Sequence, residues 1–104
     1  MSKTYELHPH NGRKSFYGKA VVQEYENGLK ELYSYNTLIL SIDKNNDLHR
    51  HYDNETVSNT TLIHIKTFLI DEKGESFADK FDKKTYLNMP IEEPLDKGDM
   101  EYDR

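Results

Sequence analysis

Five histidines, at positions 8, 10, 49, 51 and 64, are the residues with the widest chemical range in this chain. Imidazole ligates zinc, nickel and copper, and two histidines spaced by two on a strand aim both rings to one side. A metal reading would gather His8, His10, His49, His51 and His64. Yet no helical His-Glu-x-x-His or other carboxylate pattern completes a catalytic zinc set. The chain contains no Cys, which excludes a disulfide framework, a thiol nucleophile and a thiolate zinc site together. No metal and no other cofactor is expected.

His64 stands apart because of its company in Ser58-Asn59-Thr60-Thr61-Leu62-Ile63-His64-Ile65-Lys66-Thr67-Phe68. On a helix, Thr60 and Thr61 lie one turn before it, so their hydroxyls share its face. A base beside a choice of hydroxyls is the loose logic of hydrolase sites. The oxyanion-hole loop, the nucleophile elbow and an orienting acid are missing from the pattern. A structural role fits better: His64 hydrogen-bonds a backbone carbonyl or the Tyr35–Asn36 segment, and so pins its helix to a sheet. The chain is therefore expected not to be an enzyme.

Charge and aromatic content set the expected partner. There are 14 basic and 19 acidic residues, a net charge of −5, and eight Tyr against four Phe and no Trp. Tyr33, Tyr35 and Tyr52, with Lys30, Arg50 and His49, could make a stacking platform for single-stranded nucleic acid. That is the alternative reading, because phosphate binding rests on clustered Lys and Arg and no dense basic stripe exists. Tyr is enriched at protein recognition surfaces, and acids suit a basic protein surface. Tyr33, Asp43, Asp47, Tyr52, Asp53 and Glu55 are the candidate partner-binding residues. No stretch has the length of a membrane helix, and a cytoplasmic location is expected.

The elements that must position these groups read as α+β. Residues 1–14 are polar and broken by Pro9 and Gly12, an expected flexible arm. A single domain is expected over 15–91. In it Ala20–Tyr25 is β-rich, Glu26-Asn27-Gly28 gives a hairpin turn, and Leu29–Tyr35 returns. Asn36 marks a bulge or bend before Thr37–Asp43, the most apolar strand, and Leu48–Tyr52 follows. Ser58 caps a helix to about Asp71, with Leu62, Ile65, Phe68 and Leu69 as its buried stripe. Ser76–Phe81 is ambiguous, and Asp82 caps a short second helix closed by Pro90. Residues 92–104 form an acidic, disordered tail. The sum is a curled antiparallel meander of three to four strands, packed by one main helix and a short second one. With so thin a core, a homodimer or a bound host protein is a plausible further source of stability.

Three segments taken in order carry a resemblance. Ser15-Phe16-Tyr17-Gly18-Lys19-Ala20, then Leu32-Tyr33-Ser34-Tyr35-Asn36-Thr37, then Ser58-x-Thr60-Thr61-x-x-His64-Ile65-x-x-Phe68-Leu69, resemble a family of small uncharacterised domains. These domains are frequent in bacteriophages and mobile elements of Firmicutes and gut bacteria. Ser34, Tyr35, Asn36, Thr37, Ser58, Thr60, Thr61, His64 and Phe68 are the motif positions, and no catalytic residue transfers to them. The resemblance implies a small accessory protein that binds a host protein. A nucleic-acid-handling defence complex is the expected target, as it is for anti-CRISPR inhibitors.

Overall fold

A computed structural model describes residues 2–10 and 15–97. Its sheet is an open antiparallel meander of five strands in the order β1-β2-β3-β4-β5. The strands are β1 (Lys3–Glu6), β2 (Ala20–Glu24), β3 (Lys30–Ser34), β4 (Thr37–Ile42) and β5 (Leu48–Arg50). Three helices follow: α1 (Asn59–Lys73), α2 (Glu75–Asp79) and α3 (Lys83–Leu87). The fold is α+β, with five strands rather than the expected three to four and two short helices rather than one. The additional strand is β1, which pairs along β2 from Lys3 opposite Glu24 to Glu6 opposite Val21. Its four residues are all exposed, so no apolar alternation marks it in the sequence. Leu7, just beyond it, is buried and donates its N–H to the Ala20 carbonyl at 2.9 Å.

Tyr35 and Asn36 form a reversing turn, not a bulge within one long strand. Both hold positive φ, 53° and 68°, as a two-residue primed hairpin turn requires. The bulge lies further on, where Leu32 pairs with Leu40 but Tyr33 pairs with Leu38, leaving Ile39 as the additional residue on β4. At the other end of β3, the chain turns through Glu26-Asn27-Gly28. Only Gly28 is left-handed there, at φ 94°, and an added Cβ would meet the Lys44 side chain at 3.0 Å.

Alternation along β3 sets the two faces of the sheet. Leu32 and Ser34 face α1, while Glu31 and Tyr33 lie on the opposite side. The buried residues of α1 are Thr61, His64, Ile65, Thr67, Phe68 and Leu69. Thr61, His64, Ile65, Phe68 and Leu69 follow helical i, i+3, i+4 spacing, so two polar residues occupy the stripe that packs on the sheet. Phe68 and Leu69 join Val22, Leu32, Leu40 and Tyr86 in the core.

Ser58 caps α1: its Oγ accepts the Thr61 N–H at 3.1 Å. Ser58→Ala should therefore cost about 1 kcal/mol in urea unfolding, as loss of a cap hydroxyl usually does. Asp82 caps α3 in the same way, accepting from Thr85 N at 2.9 Å.

Beyond α3, Glu92 N–H bonds the Arg50 carbonyl at 2.8 Å, and Lys97 lies 3.3 Å from Glu31. Of the segment read as an acidic tail, residues 92–97 thus run along the face opposite α1. Residues 98–104 lie outside the described residues, as do residues 1 and 11–14 of the arm.

Candidate functional site

At the end of the sheet where β3 turns into β4, Ser34 sits opposite the two polar positions of α1. Its Oγ lies 2.8 Å from His64 Nδ1 and 3.0 Å from Thr61 Oγ1. With the Ser58–Thr61 cap, hydroxyls and imidazole form one chain joining sheet to helix. All three side chains are buried, His64 to 1% exposure. A buried polar group is costly unless bonded, and here each supplies the other's partner. The Phe16 ring meets the imidazole edge-on at 4.6 Å, and Tyr35 covers it at 5.8 Å.

Above this chain lies a cleft of about 450 Å³ lined by Ser15, Phe16, Tyr17, Lys19, Tyr35, Thr60 and His64. Tyr17 and Gly18 both have positive φ, 56° and 76°, making a second left-handed turn beside Tyr35–Asn36. The two turns are tied together by Tyr35 N–H, which donates to the Lys19 carbonyl at 2.9 Å. Lys19 Nζ rests over the Tyr35 ring at 5.6 Å from its centre. On the far side of Tyr35, a smaller hollow of about 220 Å³ is lined by residues that include Thr37, Tyr52, Ser58 and Thr61.

Of the motif positions, Ser34, Thr61 and His64 come together, with Tyr35, Ser58 and Thr60 around them. Asn36 and Thr37 shape the turn, and Phe68 lies one turn deeper in the core. The candidate partner-binding residues are dispersed. Asp53 and Glu55 are exposed in the loop before Ser58, and Tyr52 is half-buried beside Tyr35. Asp43 and Asp47 belong to the β4–β5 hairpin at the opposite end of β4. Tyr33 is on the other face, its hydroxyl donating to Glu31 at 2.9 Å. Burial, and then that hydrogen bond to a carboxylate, push Tyr33 up to about 12. Ser15, Phe16, Tyr17 and Lys19 were missed as site residues. Their signal is Tyr17-Gly18, a bulky residue beside glycine in a turn that needs positive φ.

Arg50 does not reach a surface platform. It is 4% exposed, stacked on Tyr86 with 4.9 Å to the ring centre. Nε donates to the Tyr52 carbonyl at 3.1 Å and Nη2 to that of Asn54 at 2.8 Å. Nη1 is shared among the carbonyls of Leu87, Met89 and Tyr86 at 2.9, 3.2 and 3.5 Å. Lys30 is likewise engaged, 2.7 Å from Glu72.

The histidines are scattered. His10 pairs with Asp71 at 2.7 Å, and His51 bridges Ser41 Oγ and the Glu92 carbonyl. His49 lies between Asp43 at 2.8 Å from Nε2 and Glu92 at 2.9 Å from Nδ1. Those carboxylates sit on opposite edges of the ring, and among the described residues no metal-ligand cluster forms. Burial opposes the charged ring of His49, but the bonds to Asp43 and Glu92 outweigh it and raise its pKa above 6.5. His49, with Asp47 N–H second, holds Asp43 below 3.8. The His49 contribution is full below its unfolded pKa and is lost as pH rises through the folded value. The Asp43 contribution is present above its unfolded pKa and is lost as pH falls through the folded one. The wild type should thus lose urea resistance as pH rises above about 6.5 through the raised pKa of His49, and His49→Gln should flatten that part of the profile.

The arrangement spans β1 to α3, as does a family model described as Family of unknown function (DUF8033), which matches residues 5–86. The chain belongs to that family. The DUF8033 match takes in both left-handed turns, Ser34, the whole of α1 and the start of α3. It stops short of Glu92 and Lys97, which cover the opposite face. No curated protein and no solved structure matches the chain. Among the described residues, no helix is long and apolar enough to cross a membrane.

Proposed function

We propose that this DUF8033 chain is a non-enzymatic binding protein that meets a protein partner with the tyrosine end of its sheet. One observation carries the reading. Tyr17 and Tyr35 are 79% and 49% exposed, and each is held in left-handed backbone. Bulky residues rarely adopt that conformation, and such strain concentrates at functional positions. Two amphipathic rings beside a cleft are the kind of anchor that interfaces use. Ser34, the hydroxyl bonded to His64, is 2% exposed and also bonded to Thr61, which suits a structural link better than a nucleophile.

Asp53 and Glu55 flank this end, and the net charge of −5 suits a basic partner surface. Host proteins that handle nucleic acid present such a surface, and complementary charge speeds encounter. In this reading the chain is an accessory protein of a phage or mobile element, acting in the host cytoplasm. Its target is a defence complex, with a host nuclease the leading candidate.

Capture from host lysate at moderate salt tests the reading. The wild type should retain a partner that the double variant Tyr17→Ala, Tyr35→Ala does not, with both folded by circular dichroism. Equal capture by the two proteins would contradict it. The 2.8 Å Ser34–His64 contact favours a second reading, a hydrolase with Ser34 as nucleophile. Ester hydrolysis lost in a fully stable Ser34→Ala variant would support that one instead.

A further inference from the structure

A second surface, remote from the tyrosine cleft, has the character of a peptide groove. Where α1, α2 and α3 meet, Lys73, Ser76, Phe77, Lys80, Phe81 and Thr85 line a hollow of about 470 Å³. Phe77 is 39% exposed and stacks on buried Phe81 at 6.4 Å between ring centres. The part of the Phe77 ring not covered by Phe81 faces the hollow. The Lys73 ammonium rests over the Phe77 ring at 5.1 Å and bonds the Asn46 carbonyl. Lys80, across the groove, is exposed and forms no ion pair among the described residues. No acid is among the lining residues: Asp82 caps α3 beside Thr85, Glu72 holds Lys30, and Glu75 and Asp79 do not line the hollow. The lining thus joins two aromatic rings with Lys73 and Lys80 as its only charged residues, on a protein whose net charge is −5.

We infer that this groove docks an acidic peptide segment of a partner protein, anchored by one large apolar side chain against Phe77 and Phe81. The anchor would displace water from the exposed part of Phe77, where burial of apolar area is favourable. Flanking carboxylates would meet Lys80 directly and Lys73 at the rim, which selects acidic sequences over neutral ones of equal hydrophobicity. A basic segment is repelled by the same two lysines. The partner here differs in chemistry from the basic surface proposed for the tyrosine end, and the two sites do not depend on each other.

Fluorescence anisotropy with the full chain tests it, using short labelled peptides that share one Phe-x-x-Leu anchor in Glu/Ser, Gln/Ser or Lys/Ser frames. The Glu frame should bind at least about tenfold tighter than the Gln frame, with the difference shrinking as salt rises. Lys80→Glu, an exposed change, should abolish that preference, and Phe77→Ser should abolish binding while circular dichroism stays unchanged. Tyr17→Ala with Tyr35→Ala should leave this binding intact. Equal binding of the Glu and Gln frames would overturn the inference. So would a Phe77-dependent dimer in sedimentation without peptide, since the occupant would then be a second copy.

Discussion

Arg50→Ala is expected to remove about 4 kcal/mol of folding stability, the largest loss of any single change considered, because several carbonyls at least partly shielded from water are orphaned at once. The guanidinium serves three segments that have few other ties. These are the Tyr52–Asn54 loop, the end of α3 and the Pro90 approach. The negative end of α3 points its carbonyls at a cation, and the Tyr86 ring covers the same cation from the side. Tyr86 in turn donates its hydroxyl to the Ile39 carbonyl at 2.8 Å, at the bulge of β4. Lysine cannot replace this fork, since a single ammonium lacks the planar set of donors. Arg50→Lys should recover less than half the loss, and hydrogen exchange should speed selectively in α3 and the Tyr52–Val57 loop. A cost under about 1 kcal/mol for Arg50→Ala would mean the carbonyls find water instead.

His64→Ala should cost about 3 kcal/mol, roughly three times the Ser58→Ala effect, since a cavity and orphaned hydroxyls add together. The ring fills space between Phe16, Tyr35 and the core, so its loss should also loosen the two left-handed turns. The partner surface would then fall with the fold. His64→Gln keeps a polar group near Ser34 and should recover part of the stability. A melting temperature unchanged by His64→Ala would remove the imidazole from any structural role.

Much of the frame was legible in the sequence because the signals were local. Ser58 before an apolar run marked the α1 cap, Gly28 marked a turn, and β-branched residues marked β4. His64 was expected to bond a backbone carbonyl or the Tyr35–Asn36 segment; its partner is instead the hydroxyl of Ser34, the residue before that segment. What escaped was non-local. β1 is polar and exposed, and only pairing with β2 makes it a strand. Arg50 looked like a surface cation because charge is usually solvated, and nothing in the chain announces that carbonyls from five later positions converge on it. The Tyr35–Asn36 reversal was mistaken for a bend because Tyr is a poor residue for positive φ. That same mismatch supports the binding role proposed for this turn. Asp43 seemed free for a partner, yet the hairpin brings His49 back against it.

The account turns on the hydroxyl–imidazole chain being a clamp between β3 and α1. A double-mutant cycle on Ser34→Ala and His64→Ala, read by urea unfolding, tests that most directly. The clamp predicts a coupling energy of about 1–2 kcal/mol, with each single variant clearly destabilised. Additive single effects with no coupling, alongside an activity lost in both variants, would contradict it.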